Sequence, residues 1–371
     1  MGAAMYRISV QIVVFSKRRI YVEMKRIFGL VMGIAMVLLM VGCGKNEQSA
    51  KRTLYLYSWA DYLAEDLVKA FEKEYNCRIV YDTFDSNEAL IAKLQAGAKG
   101  YDIIIPSHYV VDMLAQNGRL EKLDDSKLEC RKHLDPTVTG MMEKSILEYS
   151  VPYMMSYTGI GYNKKVIKDF VPSWTMFERT DLKKRATLLD DKREVIGAAL
   201  ATEGLDPNSC DPADLAKAKA RVAKWIKNVS KLENEQYKNG IASSEFHLVM
   251  GYSGDLYQVI DEKPEIAFVV PKEGALMCCD VLAIPKGAKN MDLAYAFINF
   301  VHRPENAATN IKEIFYLCPN KDAYALLPEE ILKNPAVFID PEVLKKCAFT
   351  KDLGEKEAAL NKVWSDIKTM Q

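Results

Sequence analysis

The chain has 371 residues, 49% apolar and 27% charged, enough for a sizeable core and long enough for two domains. Its 50 basic and 50 acidic residues cancel unevenly: residues 1–42 hold six bases (Arg7, Lys17, Arg18, Arg19, Lys25, Arg26) against Glu23, leaving 44 bases and 49 acids, a net −5, in the remainder. An acidic body excludes nucleic acid as a partner, because phosphate contacts need clustered positive charge.

The first element is an apolar run. From Met24 the chain reads MKRIFGLVMGIAMVLLMVGCG, two bases followed by apolar residues from Ile27 to Val41. These are the basic and apolar regions of a signal peptide covering 1–42, with Met24 as the true start. The run is about 15 residues, short of the roughly 20 that span a bilayer. MVGC resembles a bacterial lipoprotein cleavage box, with Met40 in place of the usual Leu and Cys43 as the lipidated residue. Residues 43–52 then have the polar composition of a flexible tether.

Strand and helix signals alternate in the body. Thr53–Tyr57 alternates as a strand and ends in Trp59, Asp61 and Tyr62. Leu63, Leu67, Ala70 and Phe71 share a helical face, and RIVYDTF (78–84) is the next strand. Asp85 stands three residues before Glu88, a capping-box spacing that predicts a helix through Leu90, Ile91 and Leu94. YDIIIPS (101–107) reads as a strand covered on both faces, and a helix through Val110, Val111 and Leu114 stops near Gly118. Asp211 and Pro212 open a helix through Leu215, Val222 and Ile226; Leu360, Val363, Trp364 and Ile367 mark the last one. This rhythm predicts an α/β fold with mixed, mainly parallel sheets.

Neither a metal nor a cofactor is expected. The cysteines after Cys43 (Cys77, Cys130, Cys210, Cys278, Cys279, Cys318, Cys347) form no C-x-x-C pair, and His108, His133, His247 and His302 lack ligand spacing. GIGYNK (159–164) lacks the third glycine of a dinucleotide fingerprint and reads as a strand-end turn.

In open α/β sheets, ligands bind beyond the carboxyl ends of the strands. Trp59, Asp61 and Tyr62 sit at one such end and Ser107-His108-Tyr109 at another, while GYSGD (251–255) and CCD (278–280) place Tyr252, Asp255 and Asp280 in similar clusters. A carboxylate flanked by aromatic faces receives a cation through ion pairing and cation–π attraction. One such cluster alone is more often an aromatic core beside a solvated acid. Several at loop tips point to a cation site.

The segments YSWADY, YDTFDSNEALIAKL, YDIIIPS, VPYMMSYTGIGYN, GYSGDLY, PKEGALMCCDVLAIP and IFYLCPNK, in that order, resemble the putrescine/spermidine-binding receptors of bacterial polyamine ATP-binding-cassette importers. The likeness runs from about 53 to 321 and is densest at 53–124. It implies a two-lobed periplasmic-binding-protein fold of type II, with a ligand cleft between the lobes. One lobe would comprise 53–155 and 280–325, the other 156–279 and 326–371, with hinge strands near VPYMM and DVLAIP. By position, Trp59 and Tyr62 resemble the aromatics flanking the polyamine, and Asp61 a carboxylate partner. Ser107 and Tyr109 match polar and aromatic positions, and Glu194 and Asp191 match acids of the other lobe. Tyr252, Asp255, Cys278, Asp280 and Tyr316 complete the set. Tyr252 and Cys278 stand where relatives carry larger aromatics, and Ala60 replaces a hydroxyl residue.

The resemblance implies a monomeric envelope receptor, not an enzyme, facing the periplasm, lipid-anchored through Cys43 and delivering its ligand to the importer's permease. Asp61 and Asp255 follow putrescine-type receptors and Asp191 the spermidine type, so putrescine is favoured over spermidine. Two alternatives stand beside this reading. A receptor for another cationic solute, such as a basic amino acid, needs an Arg or exposed amides for the α-carboxylate, and no Arg falls among these positions. A hydrolase could use Asp255 and Asp280 as acid and base, or Cys278 or Cys279 as nucleophile.

Overall fold

The computed structural model describes residues 51–335 and 337–370. The first 50 residues, including the signal peptide, Cys43 and most of the tether, lie outside them. The chain opens with β1 (Arg52–Ser58), α1 (Glu65–Glu74), β2 (Cys77–Thr83), α2 (Asn87–Gln95) and a short β3 (Ile103–Ile104). β1 pairs in parallel with both β2 and β3. α1 forms because Leu67 and Phe71 fall on one face, buried against the sheet, with Glu65 and Asp66 favouring its positive N-terminal end.

Two long strands follow a different rule. β4 (Ser150–Asn163) and β9 (Leu276–Ala283) are buried along almost their whole length and pair antiparallel from Ser150–Ala283 to Tyr157–Met277. Between them in sequence come β5 (Ala186–Leu188), β6 (Lys231–Leu232), β7 (Leu248–Tyr252) and β8 (Ile266–Val269). β7 and β8 run antiparallel to β4, whereas β5 is parallel to β6 and β7. The sheet is therefore mixed, with order β2-β1-β3-β9-β4-β7-β5-β6.

Two apolar cores form on this frame. The first gathers residues between Leu54 and Met155 and between Cys279 and Val337; the second gathers residues between Ile160 and Ala275 and between Leu360 and Ile367. β4 passes from one to the other, Met154 in the first and Ile160 in the second, and β9 returns. In the second core, α3 (Lys192–Thr202) and α4 (Pro212–Ile226) precede β7, and α4 begins as the sequence predicts: Asp211 accepts from the Ala213 amide at 2.8 Å and Pro212 takes the first turn. Leu360, Trp364 and Ile367 of the closing helix (Glu357–Lys368) are buried, as their spacing requires.

Four expectations change. The cap of α2 is Ser86, whose hydroxyl accepts from the Ala89 amide at 3.3 Å, and not Asp85; Ser86 has the extended backbone a cap needs, and Glu88 pairs instead with Lys192. β3 is shorter than 101–107: at its start the buried Asp102 carboxylate takes the amides of Tyr55, Lys289 and Asn290, and past its end Pro106 has no N–H to pair. The turn expected over residues 159–164 begins only at Lys164: β4 runs through Asn163, and its glycines serve packing, because a side chain at Gly159 would meet the Phe268 ring at 2.5 Å and one at Gly161 would meet Leu256 at 2.8 Å. Finally, Leu327, Ile331 and Val337 join the first core, although they fall in the segment 326–371 expected with the second lobe.

Candidate functional site

All twelve residues singled out in the sequence line one cavity of about 270 Å³: Trp59, Asp61, Tyr62, Ser107, Tyr109, Asp191, Glu194, Tyr252, Asp255, Cys278, Asp280 and Tyr316. They come from chain segments more than 250 positions apart, brought together by the order of the sheet. β1 delivers Trp59, Asp61 and Tyr62 on the loop at its carboxyl end, and β9 delivers Cys278 and Asp280.

Asp280 is held on both oxygens. Tyr62 donates its hydroxyl to Oδ2 at 2.6 Å, and Ser107 donates to Oδ1 at 2.7 Å. Asn87, the first residue of α2, positions Ser107 from behind: its amide donates to the Ser107 and Tyr109 hydroxyls at 3.0 and 2.9 Å and accepts from the Ser107 N–H at 3.2 Å. Burial raises Asp280 from the usual 3.8 to about 6, with the two hydroxyls opposing the rise.

Asp255 has the same arrangement at the other side. α5 (Gln236–Ala242) places Tyr237, which donates to Oδ2 at 2.6 Å; Tyr316 donates to Oδ1 at 2.9 Å. Asp255 lies in the first turn of α6 (Ser253–Glu262) beside Gly254. A Cβ at Gly254 would sit 2.2 Å from the Tyr316 ring, so glycine is what lets that ring reach the carboxylate. The Tyr62 and Tyr316 rings meet edge to face at 5.0 Å and join the two arrangements.

A third acidic group is a pair. Asp191 caps α3, accepting from the Arg193 and Glu194 amides at 2.8 and 3.2 Å, and Tyr252 donates to its Oδ2 at 3.3 Å. Glu194 accepts from Thr158 at 2.5 Å. Burial, then the neighbouring Asp191, raise Glu194 from the usual 4.5 to about 8; burial, then Glu88, raise Asp191 as well.

That displacement has a consequence for stability. The folded chain keeps the Glu194 proton up to about pH 8, whereas an unfolded glutamate releases it near 4.5. More protons are bound in the native state over that window, so this stabilisation is full below about 4.5 and lost as pH rises to 8. Glu194→Gln, which mimics the protonated acid, is expected to raise the thermal midpoint of the ligand-free protein at pH 8 and to change it little near pH 4.5. Equal shifts at both pH values in a melting series would contradict this.

Cys278 is not an activated nucleophile. Burial, then Asp280, push its thiol well above the ordinary value. His108 lies 3.4 Å from its sulfur through Nδ1, while Nε2 lies 2.7 Å from the Thr350 carbonyl oxygen. Burial lowers His108 to about 4, so its ring stays neutral. A protonated thiol within hydrogen-bond reach of a neutral imidazole is a structural contact, not an activated pair.

The sequence reading missed Asn87 and, more consequentially, Lys238. The Lys238 ammonium enters the cavity from α5, 2.8 Å from Asp61 Oδ2, 3.2 Å from Gln258 Oε1 and 3.9 Å from Asp255 Oδ1. Burial works against its charge, but Asp255 and Asp61 more than offset this and hold it above the ordinary value. Asp61 has a left-handed backbone, φ 50°, which Asp tolerates better than most residues. A Lys two positions into a polar helix carries no sequence signal that it faces a cavity. The arrangement as a whole receives compact cations: acids on three sides, oriented by hydroxyls, with Trp59, Tyr109 and Tyr252 as apolar walls.

Residues 66–339 match the family model of bacterial extracellular solute-binding proteins. The chain is 34% identical to the putrescine-binding periplasmic protein PotF of Escherichia coli, over 93% of this chain and 98% of that protein. Among solved structures it superposes on a putative spermidine/putrescine ABC transporter from Listeria monocytogenes with TM-score 0.80 at 33% identity, over 86% of this chain and all of that one. It superposes on the Tp0655 lipoprotein of Treponema pallidum with TM-score 0.77 at 32% identity, over 85% of this chain and 99% of that one.

Proposed function

The chain belongs to the bacterial extracellular solute-binding proteins, and from that premise we propose that it is an envelope receptor for a polyamine, putrescine before spermidine, serving an ATP-binding-cassette importer. The observation that carries the reading is Asp280, both of whose carboxylate oxygens are held by hydroxyls, in one small cavity with aromatic walls that the Asp191–Glu194 pair also lines. Hydroxyls that donate to a carboxylate fix its orientation without cancelling its charge, which is what a bound ammonium needs. Relatives named for putrescine and for spermidine support the class.

The magnitudes suffice. Four methylenes contribute about 3 kcal/mol at roughly 0.8 each, charge-assisted hydrogen bonds about 1.5–3 each, and cation–π contacts about 0.5–2. Against an association cost of roughly 4–15 kcal/mol, a micromolar to nanomolar complex, about −8 to −12 kcal/mol, is within reach at the favourable end of these ranges. In this reading the two cores are lobes that close about β4 and β9. Glu88 pairs with Lys192, and Asn234 donates to the Asp85 carbonyl at 3.1 Å, both across the cleft.

Native mass spectrometry of the purified protein tests the ligand class: a co-purified diamine or triamine is expected. A ligand without two amine groups would overturn the reading. The anchor is tested separately. MVGC and the polar tether motivate lipidation at Cys43, and Cys43→Ser is expected to abolish labelling by a fatty-acid probe; unchanged labelling would contradict it.

A further inference from the structure

We propose that Lys238 is a resident cation of the cleft that sets how many ammonium groups a ligand can bring: its own ammonium stands where the third amine of a triamine would bind, and the site thereby favours a diamine. This rests on the polyamine reading above and explains a preference within it.

The geometry is specific. The Lys238 side chain is only 18% exposed, and its ammonium is held from three sides by Asp61, Gln258 and Asp255. Gln258 is itself fixed, its amide donating to the Ile314 carbonyl at 3.1 Å, so the lysine is tied to an ordered frame and does not wave in solvent. It also bridges the cleft, because α5 carries Tyr237 and Ile241 into the second core while Asp61 follows β1 of the first.

A ligand therefore meets acids of two kinds. Asp280 and the Asp191–Glu194 pair have protein hydroxyl or amide donors and no ammonium or guanidinium hydrogen-bonded to them among the described residues. Asp61 already has a cation, which also reaches Asp255. A diamine places one charge at each unfilled group. A triamine has a third charge to place, and the remaining acidic wall presents it with Lys238. Two ammonium groups within about 5 Å of each other repel enough to cost roughly tenfold or more in affinity at a partly buried site.

The test is calorimetric titration of putrescine and spermidine into the wild type, Lys238→Met, Lys238→Gln and Lys238→Arg. Met and Gln keep much of the side-chain length without the charge, and two such variants guard against one that folds poorly. The wild type is expected to bind putrescine more tightly, and the putrescine-to-spermidine affinity ratio is expected to fall at least tenfold in Met and Gln and to stay near wild type in Arg. An unchanged ratio in Met and Gln, whichever way the absolute affinities move, would overturn the role of Lys238 while leaving the polyamine reading intact. A wild type that binds neither amine would overturn both.

Discussion

Asp280→Asn is expected to weaken putrescine binding by about tenfold at the least and about 150-fold at the most. The carboxylate is buried with both oxygens already accepting, from Tyr62 and Ser107. An amide of the same shape presents one oxygen where there were two, so one buried hydroxyl loses its acceptor and the ammonium loses its counter-charge. A hydrogen bond to a charged partner is worth about 1.5–3 kcal/mol, roughly tenfold to 150-fold in affinity. Asp255→Asn has the smaller expected effect, about tenfold, because Asp255 already shares its charge with Lys238. The ligand-free protein should melt at nearly the same temperature in both variants, since removing one of several clustered acids relieves repulsion that offsets the hydroxyl left without an acceptor. Titration calorimetry beside a thermal melt separates the two readouts, and wild-type affinity in both variants would place the ammonium groups elsewhere.

Putrescine should change the tryptophan fluorescence, and Trp59→Phe should remove most of that change. Trp59 is the tryptophan that lines the cavity, held edge to face against Phe84 at 4.5 Å, with its carbonyl accepting from Tyr81 at 2.8 Å. Trp174 and Trp225 are fully buried and Trp364 is 8% exposed, all three in the second core. Trp59→Ala should cost about 1–3 kcal/mol of affinity through lost apolar contact and cation–π attraction. A full fluorescence response in Trp59→Phe would make the cluster ordinary core.

What the sequence made legible follows from chemistry that is local. Alternation, helical faces and caps are properties of neighbouring residues, so the helix from Pro212 and the last helix stand where they were expected. The twelve cavity residues were legible because the family resemblance carried their positions; composition and spacing alone reached only the clusters at strand ends. Lys238 and Asn87 were not legible because each acts on a partner far along the chain, 177 positions from Lys238 to Asp61 and 20 from Asn87 to Ser107. Ser86 won the cap over Asp85 by backbone conformation, which residue type does not reveal. The glycines of β4 misled for a related reason: they answer to Phe268 and Leu256 packing on the strand, not to a turn.

The central claim is that the cleft recognises charge at both ends of a short chain. Calorimetric titration of putrescine against butane-1,4-diol tests it most directly, because the two share every methylene and differ in the ammonium groups. Micromolar or tighter binding of putrescine and no measurable heat from the diol are expected. Tight binding of the diol, or none of putrescine by the purified, ligand-free protein, would contradict it.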